Sequence, residues 1–270
     1  MVLRALLVRE KTEGEALDLC EKVDLATDKV VVYKVVARRA EDQHVLCDEI
    51  GDRGNVVKLE VAMRQNDLAW EVRDYLKAYP TAAVVNLGRG LDATGRACDN
   101  GSCRIYNLDF PDVIEARNQL LPAGEREENI ACDLNDTSWF TKIDASGGAV
   151  FFAAGVFYYF LHEQVEALVA AMAKAFPCGR LVFDAAGKAA VKMMLKTWIK
   201  DAKIQNVGAY FSVADAKAEL SSWADGIKVS SRGYMLGYQK LDGDNIKPSY
   251  RLLAKIGDGM MKMQIVRIEF

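Results

Sequence analysis

Val84-Val85-Asn86-Leu87-Gly88-Arg89-Gly90-Leu91-Asp92 is the stretch that decides the fold of this chain. A short apolar, β-branched run leads straight into a Gly-x-Gly turn, which predicts a buried strand ending where the backbone must bend sharply. Glycine is needed there because a backbone without a Cβ can turn tightly and let a ligand approach. Twenty-one residues after Gly88, Asp109 closes the next apolar run, Ile105-Tyr106-Asn107-Leu108-Asp109. An acid at that distance sits at the tip of the neighbouring strand, where its two oxygens can accept both hydroxyls of a ribose. Together the two features predict a nucleoside-bearing cofactor at the carboxyl ends of the strands.

Working outward, short apolar runs alternate with helical patterns after Pro80. The strand candidates are 82–87, 104–108, 129–132, 149–154, 180–183, 227–230 and 264–270, with helices at 113–120, 163–176 and 186–200. Such alternation, with continuously apolar strands, means a mostly parallel sheet covered by helices on both faces. The last run, Met263 to Phe270, alternates as a strand with no helix after it, which suggests an antiparallel addition at the far side of the sheet. Before Pro80, residues 67–79 read as a helix with Leu68, Val72, Tyr75 and Leu76 on one face and Glu71, Arg73, Asp74 and Lys77 opposite. Val30 to Ala40 reads weakly as another helix. Residues 1–79 are therefore expected to form a helical cap and 80–270 the cofactor-binding domain.

The balance of 35 basic against 38 acidic residues, a net charge of −3, gives no electrostatic footprint for nucleic acid or an anionic membrane. None of the six cysteines forms a C-x-x-C pair, and His44 and His162 are far apart, so no zinc ligand set is expected. The N-terminal apolar run is too short and charged for a signal peptide, and the longest apolar stretch, Ala149 to Leu161, falls short of the ~20 residues of a membrane helix. A cytoplasmic address is the default expectation.

Gly88 to Ala93 also satisfies the looser dinucleotide pattern G-x-G-x-x-G/A, so the glycines alone leave a nicotinamide cofactor open. Three features favour S-adenosylmethionine. The third strand ends in Ala131-Cys132-Asp133-Leu134, placing a carboxylate beside the expected adenine position. The fourth runs into the aromatic segment Val156-Phe157-Tyr158-Tyr159-Phe160, and the chain finishes in a terminal strand.

The stretches 85–92, 106–114, 155–160 and 176–184 together resemble the leucine carboxyl methyltransferases and their bacterial relatives, the polyketide O-methyltransferases. The resemblance implies a class I methyltransferase fold, a seven-stranded Rossmann-like sheet with its last strand antiparallel, and S-adenosylmethionine as cofactor. It implies that Arg64, in Ala62-Met63-Arg64-Gln65, pairs with the donor's carboxylate. Gly88, Arg89 and Gly90 would form the cofactor turn, Asp109 would hold the ribose, Asp133 with Leu134 would meet the adenine edge, and Phe110 would also belong to the cofactor site. Two departures stand out. The family's turn continues with Thr-Arg where this chain has Ala93-Thr94-Gly95, and the family's cofactor-facing glutamate before Gly-Val is Ala154 here.

Each of these residues also has a plainer reading. Arg64 reads equally as a surface charge, Asp133 as a cap on the turn around Asn135, and one of Tyr158 and Tyr159, alternating at a strand end, as core packing. His162 reads as a partial helix cap. No residue reads as a convincing general base, and Tyr159 is the candidate catalytic side chain. A carboxylate acceptor is already ionised and needs no base, whereas a phenol does. The expected activity is O-methylation of a carboxyl or hydroxyl group of a small molecule. A cofactor-binding relative without catalysis and an NAD-dependent oxidoreductase stay open.

Overall fold

The computed structural model describes residues 19–24, 29–34, 53–194, 210–238, 241 and 248–270. Leu19–Asp24 (β1) and Lys29–Lys34 (β2) pair antiparallel, with Leu19 opposite Lys34. A strand therefore stands where the sequence suggested a helix from Val30, in keeping with the stiff β-branched run Val30-Val31-Val32. Residues 35–40 of that expectation lie outside the described residues.

Arg53–Ala78 (α1) leads into the main sheet. Its strands are Ala83–Leu87 (β3), Arg104–Asp109 (β4), Glu127–Ala131 (β5), Ala149–Ala153 (β6), Arg180–Ala185 (β7), Lys228–Gly233 (β8) and Gln264–Glu269 (β9). Between them come Thr94–Ala97 (α2), Pro111–Leu120 (α3), His162–Ala175 (α4), Lys188–Met194 (α5), Ala216–Leu220 (α6) and Pro248–Gly259 (α7). The helix expected at 186–200 is described only as far as Met194. The strand order is β5-β4-β3-β6-β7-β9-β8, parallel from β5 to β7, with β9 antiparallel to both of its neighbours.

The terminal strand is thus antiparallel, as expected, but it lies one place in from the edge rather than at it. The reason is visible along β9, where Ile265, Val266 and Ile268 are all fully buried and need cover on both faces, while β8 is largely exposed. Period two sorts the core. Ala149, Phe151 and Ala153 of β6 face one apolar cluster with Trp139, Met172 and Phe176, whereas Val150 and Phe152 face another with Leu68, Val72 and Tyr75 of α1.

α1 packs its predicted stripe on the sheet, with Leu68 and Val72 fully buried, each worth ~1.5–3 kcal/mol of burial. Glu71, expected on the solvent face, is also buried. It is held by the Tyr238 hydroxyl, which donates to Oε1 at 2.7 Å, and by Arg180 and Arg267, each 3.5 Å from Oε2. A carboxylate can be buried where such partners come with it, and these arrive from elements distant in sequence.

Successive strands run outward from β3 through β4 to β5, and the chain then returns to the other side of β3 for β6 and β7. The order reverses between β3 and β6, and crevices at such switch points, outside the carboxyl ends of the strands, are where open α/β sheets bind ligands.

Candidate functional site

Leu87 of β3 is level with both Leu108 of β4 and Ala153 of β6, so the turns after these strands emerge side by side at the switch point. Gly88 (φ +61°) and Gly90 (φ +57°) both adopt the left-handed region. They are glycines for different reasons. A Cβ on Gly88 would sit 2.8 Å from the Val156 methyls, so the β3 and β6 turns are packed as closely as a hydrogen atom allows. A Cβ on Gly90 would meet nothing within 4 Å, which makes this the open side of the turn.

The turn is tied down from three directions. Asp109, at the tip of β4, accepts the Gly90 N–H on Oδ2 at 2.6 Å and the Phe110 N–H on Oδ1 at 2.8 Å. Burial raises its pKa, and these two N–H groups act against that rise. Asp92 accepts from Asn86 Nδ2 at 3.0 Å and from the Thr94 hydroxyl at 2.7 Å. Arg117 of α3 donates to the carbonyls of Gly90 and Asp92, both at 3.2 Å, and to Asn129 Oδ1 at 3.1 Å. Burial, with like charge from Arg89, lowers the Arg117 pKa to about 10. The sequence reading missed Arg117, although its spacing from Val113 places it on the buried face of that helix.

Arg89 divides in its roles. Its backbone N–H donates to Leu108 O at 3.2 Å, so its main chain belongs to the turn. Its side chain is buried next to Gly95, whose Cβ would stand 3.1 Å from Nη1. Among the described residues its three guanidinium nitrogens have no hydrogen-bond partner, and burial lowers its pKa against the pull of Asp92 and Glu127.

Across the switch point, Arg64 of α1 donates from Nη1 to Asp184 Oδ2 at 3.2 Å, and Asp184 Oδ1 accepts the Gly155 N–H at 2.6 Å. Arg64 is therefore partly buried in an ion pair rather than a simple surface charge. Ala154 is half-buried against the α1-side cluster. Phe157–Tyr159 forms a 3-10 turn, not the strand end expected, because the backbone bends at Gly155 (φ +70°). The turn buries Tyr158 and leaves Tyr159 open to solvent on one side. Partial burial raises the Tyr159 phenol above its ordinary range, with Arg64 opposing and Asp184 adding to the rise.

The adenine-side candidates lie beyond β5. Asp133 is exposed and accepts from both Asn135 nitrogens at 2.9 Å, the turn-capping arrangement, while Leu134 is buried. Phe110 is exposed beside Asp109. His162 is not the cap of α4. Leu161 stands at that position, and the His162 ring packs 5.4 Å from Phe211 and 5.2 Å from Trp223. Among the described residues no helix is long and apolar enough to cross a membrane, and no cluster of His, Cys, Asp and Glu is placed to hold a metal.

The model of the leucine carboxyl methyltransferase family matches residues 34–173, just over half of the chain. The chain belongs to this family. This is the family that the motifs around Gly88, Asp109 and Gly155 pointed to. It is 27% identical over 112 residues to the tetracenomycin polyketide synthesis O-methyltransferase TcmP of Streptomyces glaucescens. That match spans 41% of this chain and 42% of TcmP. Among solved structures, a Thermobifida fusca protein shares the fold at a TM-score of 0.57 and 18% identity, covering 83% of this chain and 85% of its own. A DUF574 family protein from Streptomyces avermitilis does so at 0.58 and 11%, covering 87% and 93%.

Proposed function

We propose that this leucine carboxyl methyltransferase family member transfers a methyl group from S-adenosylmethionine to an oxygen of a small-molecule acceptor, most readily a carboxylate. One observation carries the reading. The open glycine turn held by Asp109 and the charged pair Arg64–Asp184 face the same switch point from opposite sides.

The residues fit the donor. Gly90 leaves room where a Cβ would intrude, and the turn's backbone, including Arg89, lines that space. Asp109 keeps lone pairs after its two backbone bonds and can accept ribose hydroxyls. Phe110 offers an exposed ring near the base, with Leu134 and Asp133 beyond β5. Arg64 supplies the charge for a carboxylate, next to Ala154.

Bound there, the donor supplies an electrophilic methyl group on a sulfonium, which an acceptor oxygen takes by in-line displacement. The chain's part is to position the two groups, and well-oriented reactants gain much of their rate from that alone. A carboxylate acceptor arrives ionised, so no proton need be removed. Tyr159, its phenol raised above the ordinary range, is at neutral pH a hydrogen-bond donor rather than a base. It is suited to orienting an acceptor oxygen.

Calorimetric titration with S-adenosylmethionine, S-adenosylhomocysteine and NAD tests this reading. The expected result is binding of the first two and not of NAD, with methyl transfer from labelled donor onto a carboxylate-bearing acceptor. Binding of NAD alone would sink the proposal in favour of an oxidoreductase. Donor binding with no transfer to any acceptor would leave a binding module.

A further inference from the structure

The Gly90 carbonyl is turned toward α3, and that fixes where the next amide points. Arg117, 1% exposed on the buried face of α3, donates from Nη1 to the carbonyls of Gly90 and Asp92, both at 3.2 Å. Its own aim is set from the sheet. Nε donates at 3.1 Å to Asn129 Oδ1 of β5, an oxygen that also accepts from Asn107 Nδ2 of β4 at 2.8 Å. Asn129 Nδ2 in turn donates to Asn118 Oδ1 of α3 at 2.7 Å. A guanidinium is a rigid planar fork, so one engaged at both Nε and Nη1 has little freedom left.

A trans peptide unit is planar, and its C=O and N–H point in opposite directions. Holding the Gly90 oxygen on the α3 side therefore turns the Leu91 N–H to the other side of the turn. Among the described residues no hydrogen bond takes up that N–H, whereas the Gly90 N–H goes to Asp109 and the Asp92 N–H to Arg89 O. Leu91 is half-buried, and the turn beside it is open, since a Cβ on Gly90 would meet nothing within 4 Å. Resting on the reading of this turn as the S-adenosylmethionine site, we propose that Arg117 is a positioning residue that aims the Leu91 N–H at a ribose hydroxyl of the donor. A hydroxyl has one proton to give and two lone pairs. The ribose hydroxyl that donates to Asp109 thus keeps lone pairs for Leu91, and the acid and the amide complement each other on one group. Arg117 touches no ligand. Without it the Gly90–Leu91 peptide is free to rotate, and the ligand must order it again on binding.

The test titrates S-adenosylhomocysteine and 5′-methylthioadenosine, which keeps the ribose but lacks the amino-acid end, into the full chain and its Arg117→Met variant. Melting curves fix a temperature at which both chains are folded. Both ligands should lose affinity to the same degree, roughly five- to tenfold, the worth of about one hydrogen bond. Arg117→Lys, which keeps a cationic donor for the carbonyls, should recover part of the loss. NMR of the wild-type chain reads the amide directly, and the Leu91 N–H should move downfield on saturation with 5′-methylthioadenosine. That measurement, with the milder Asn129→Leu on half-buried β5, carries the test should the Arg117 variants fail to fold. A lowered melting point with unchanged affinity overturns the proposal, because Arg117 would then only stabilise the fold. A loss confined to S-adenosylhomocysteine, or a Leu91 amide that stays in place on saturation, overturns it too, while the cofactor site stands. A wild-type chain that binds neither ligand overturns the site and the proposal together.

Discussion

The Asp109 carboxylate accepts the Gly90 amide proton at 2.6 Å, so the acid at the tip of β4 holds the turn that follows β3. The two sequence signals that pointed to a nucleoside site are thus in direct contact. The same oxygens that brace the turn are the ones expected to receive the ribose.

Replacing Asp109 should therefore act on binding before it acts on the fold. Asp109→Ala removes two charge-assisted hydrogen bonds to the ribose, each worth ~1.5–3 kcal/mol. It also releases the Gly90 and Phe110 amides to water at a partly exposed site. Affinity for S-adenosylhomocysteine, measured by calorimetry, should drop by roughly tenfold or more while the chain still melts cooperatively. Unchanged affinity would show that Asp109 serves the turn alone.

The two glycines of the turn should respond differently to the same change. Alanine at either position carries the left-handed backbone cost, ~1–3 kcal/mol. At Gly88 the new methyl also meets Val156 at 2.8 Å, so Gly88→Ala should melt lower than Gly90→Ala, and adding Val156→Ala should recover part of the difference. At Gly90 the methyl enters open space. Gly90→Ala should fold nearly as well as the backbone cost allows, yet bind S-adenosylhomocysteine several-fold more weakly. Equal melting points for the two single variants would contradict the packing described here.

Much of this was legible in the sequence because it depends on local pattern. Apolar runs ending in glycine or aspartate marked β3, β4, β6 and β7, and the 3.6 period of Val165, Leu168, Val169 and Met172 marked α4. What escaped depends on partners far away in the chain. Glu71 reads as a surface residue until Tyr238, Arg180 and Arg267 are brought to it. Asp184 closes the 176–184 stretch, but its meeting with Arg64, 120 residues away, follows only from the packing of α1 on β7. Arg89, inside the motif itself, turned its guanidinium back toward Gly95, and a Gly-x-Gly pattern carries no information about that choice.

The cysteines give a pH dependence whose sign is set by burial. Burial raises the Cys98 thiol to about 11 and Cys132 to about 12, from an ordinary value of 9.0, and raises Cys103 as well. Below about pH 9 both folded and unfolded chains keep these protons, and the folded state keeps its full stability. Above it the unfolded chain ionises first, so stability should fall as pH rises toward the folded-state values, by at most ~1.4 kcal/mol per pH unit for each group. Denaturant melts at about pH 8 and about pH 10 would show the loss. The exposed Cys178 should react with iodoacetamide well before Cys98, Cys103 and Cys132, as read by peptide mass spectrometry. Faster alkylation of Cys132 than of Cys178 would refute that order.

Ala154 is where this chain departs from the family pattern, and the structure argues that restoring a glutamate there will not help. Residue 154 continues the β6 face that carries Val150 and Phe152, and it packs against the α1-side apolar cluster. A glutamate would add three heavy-atom positions of side-chain length and a charge to that wall. The negative charge beside Gly155 is already supplied by Asp184, and Arg64, 3.2 Å from it, is committed to that partner. A second carboxylate at this edge would compete for Arg64 and repel Asp184. Ala154→Glu should therefore lower stability by ~1–3 kcal/mol, the range for overpacking or burying an imperfectly paired polar group, and weaken S-adenosylhomocysteine binding. The combined variant Ala154→Glu with Asp184→Asn should bind better than Asp184→Asn alone if one carboxylate in either place suffices. Melting temperature and calorimetric affinity of the single and double variants decide the matter. Tighter binding by Ala154→Glu alone would mean that the site lacks a charge which Asp184 does not provide.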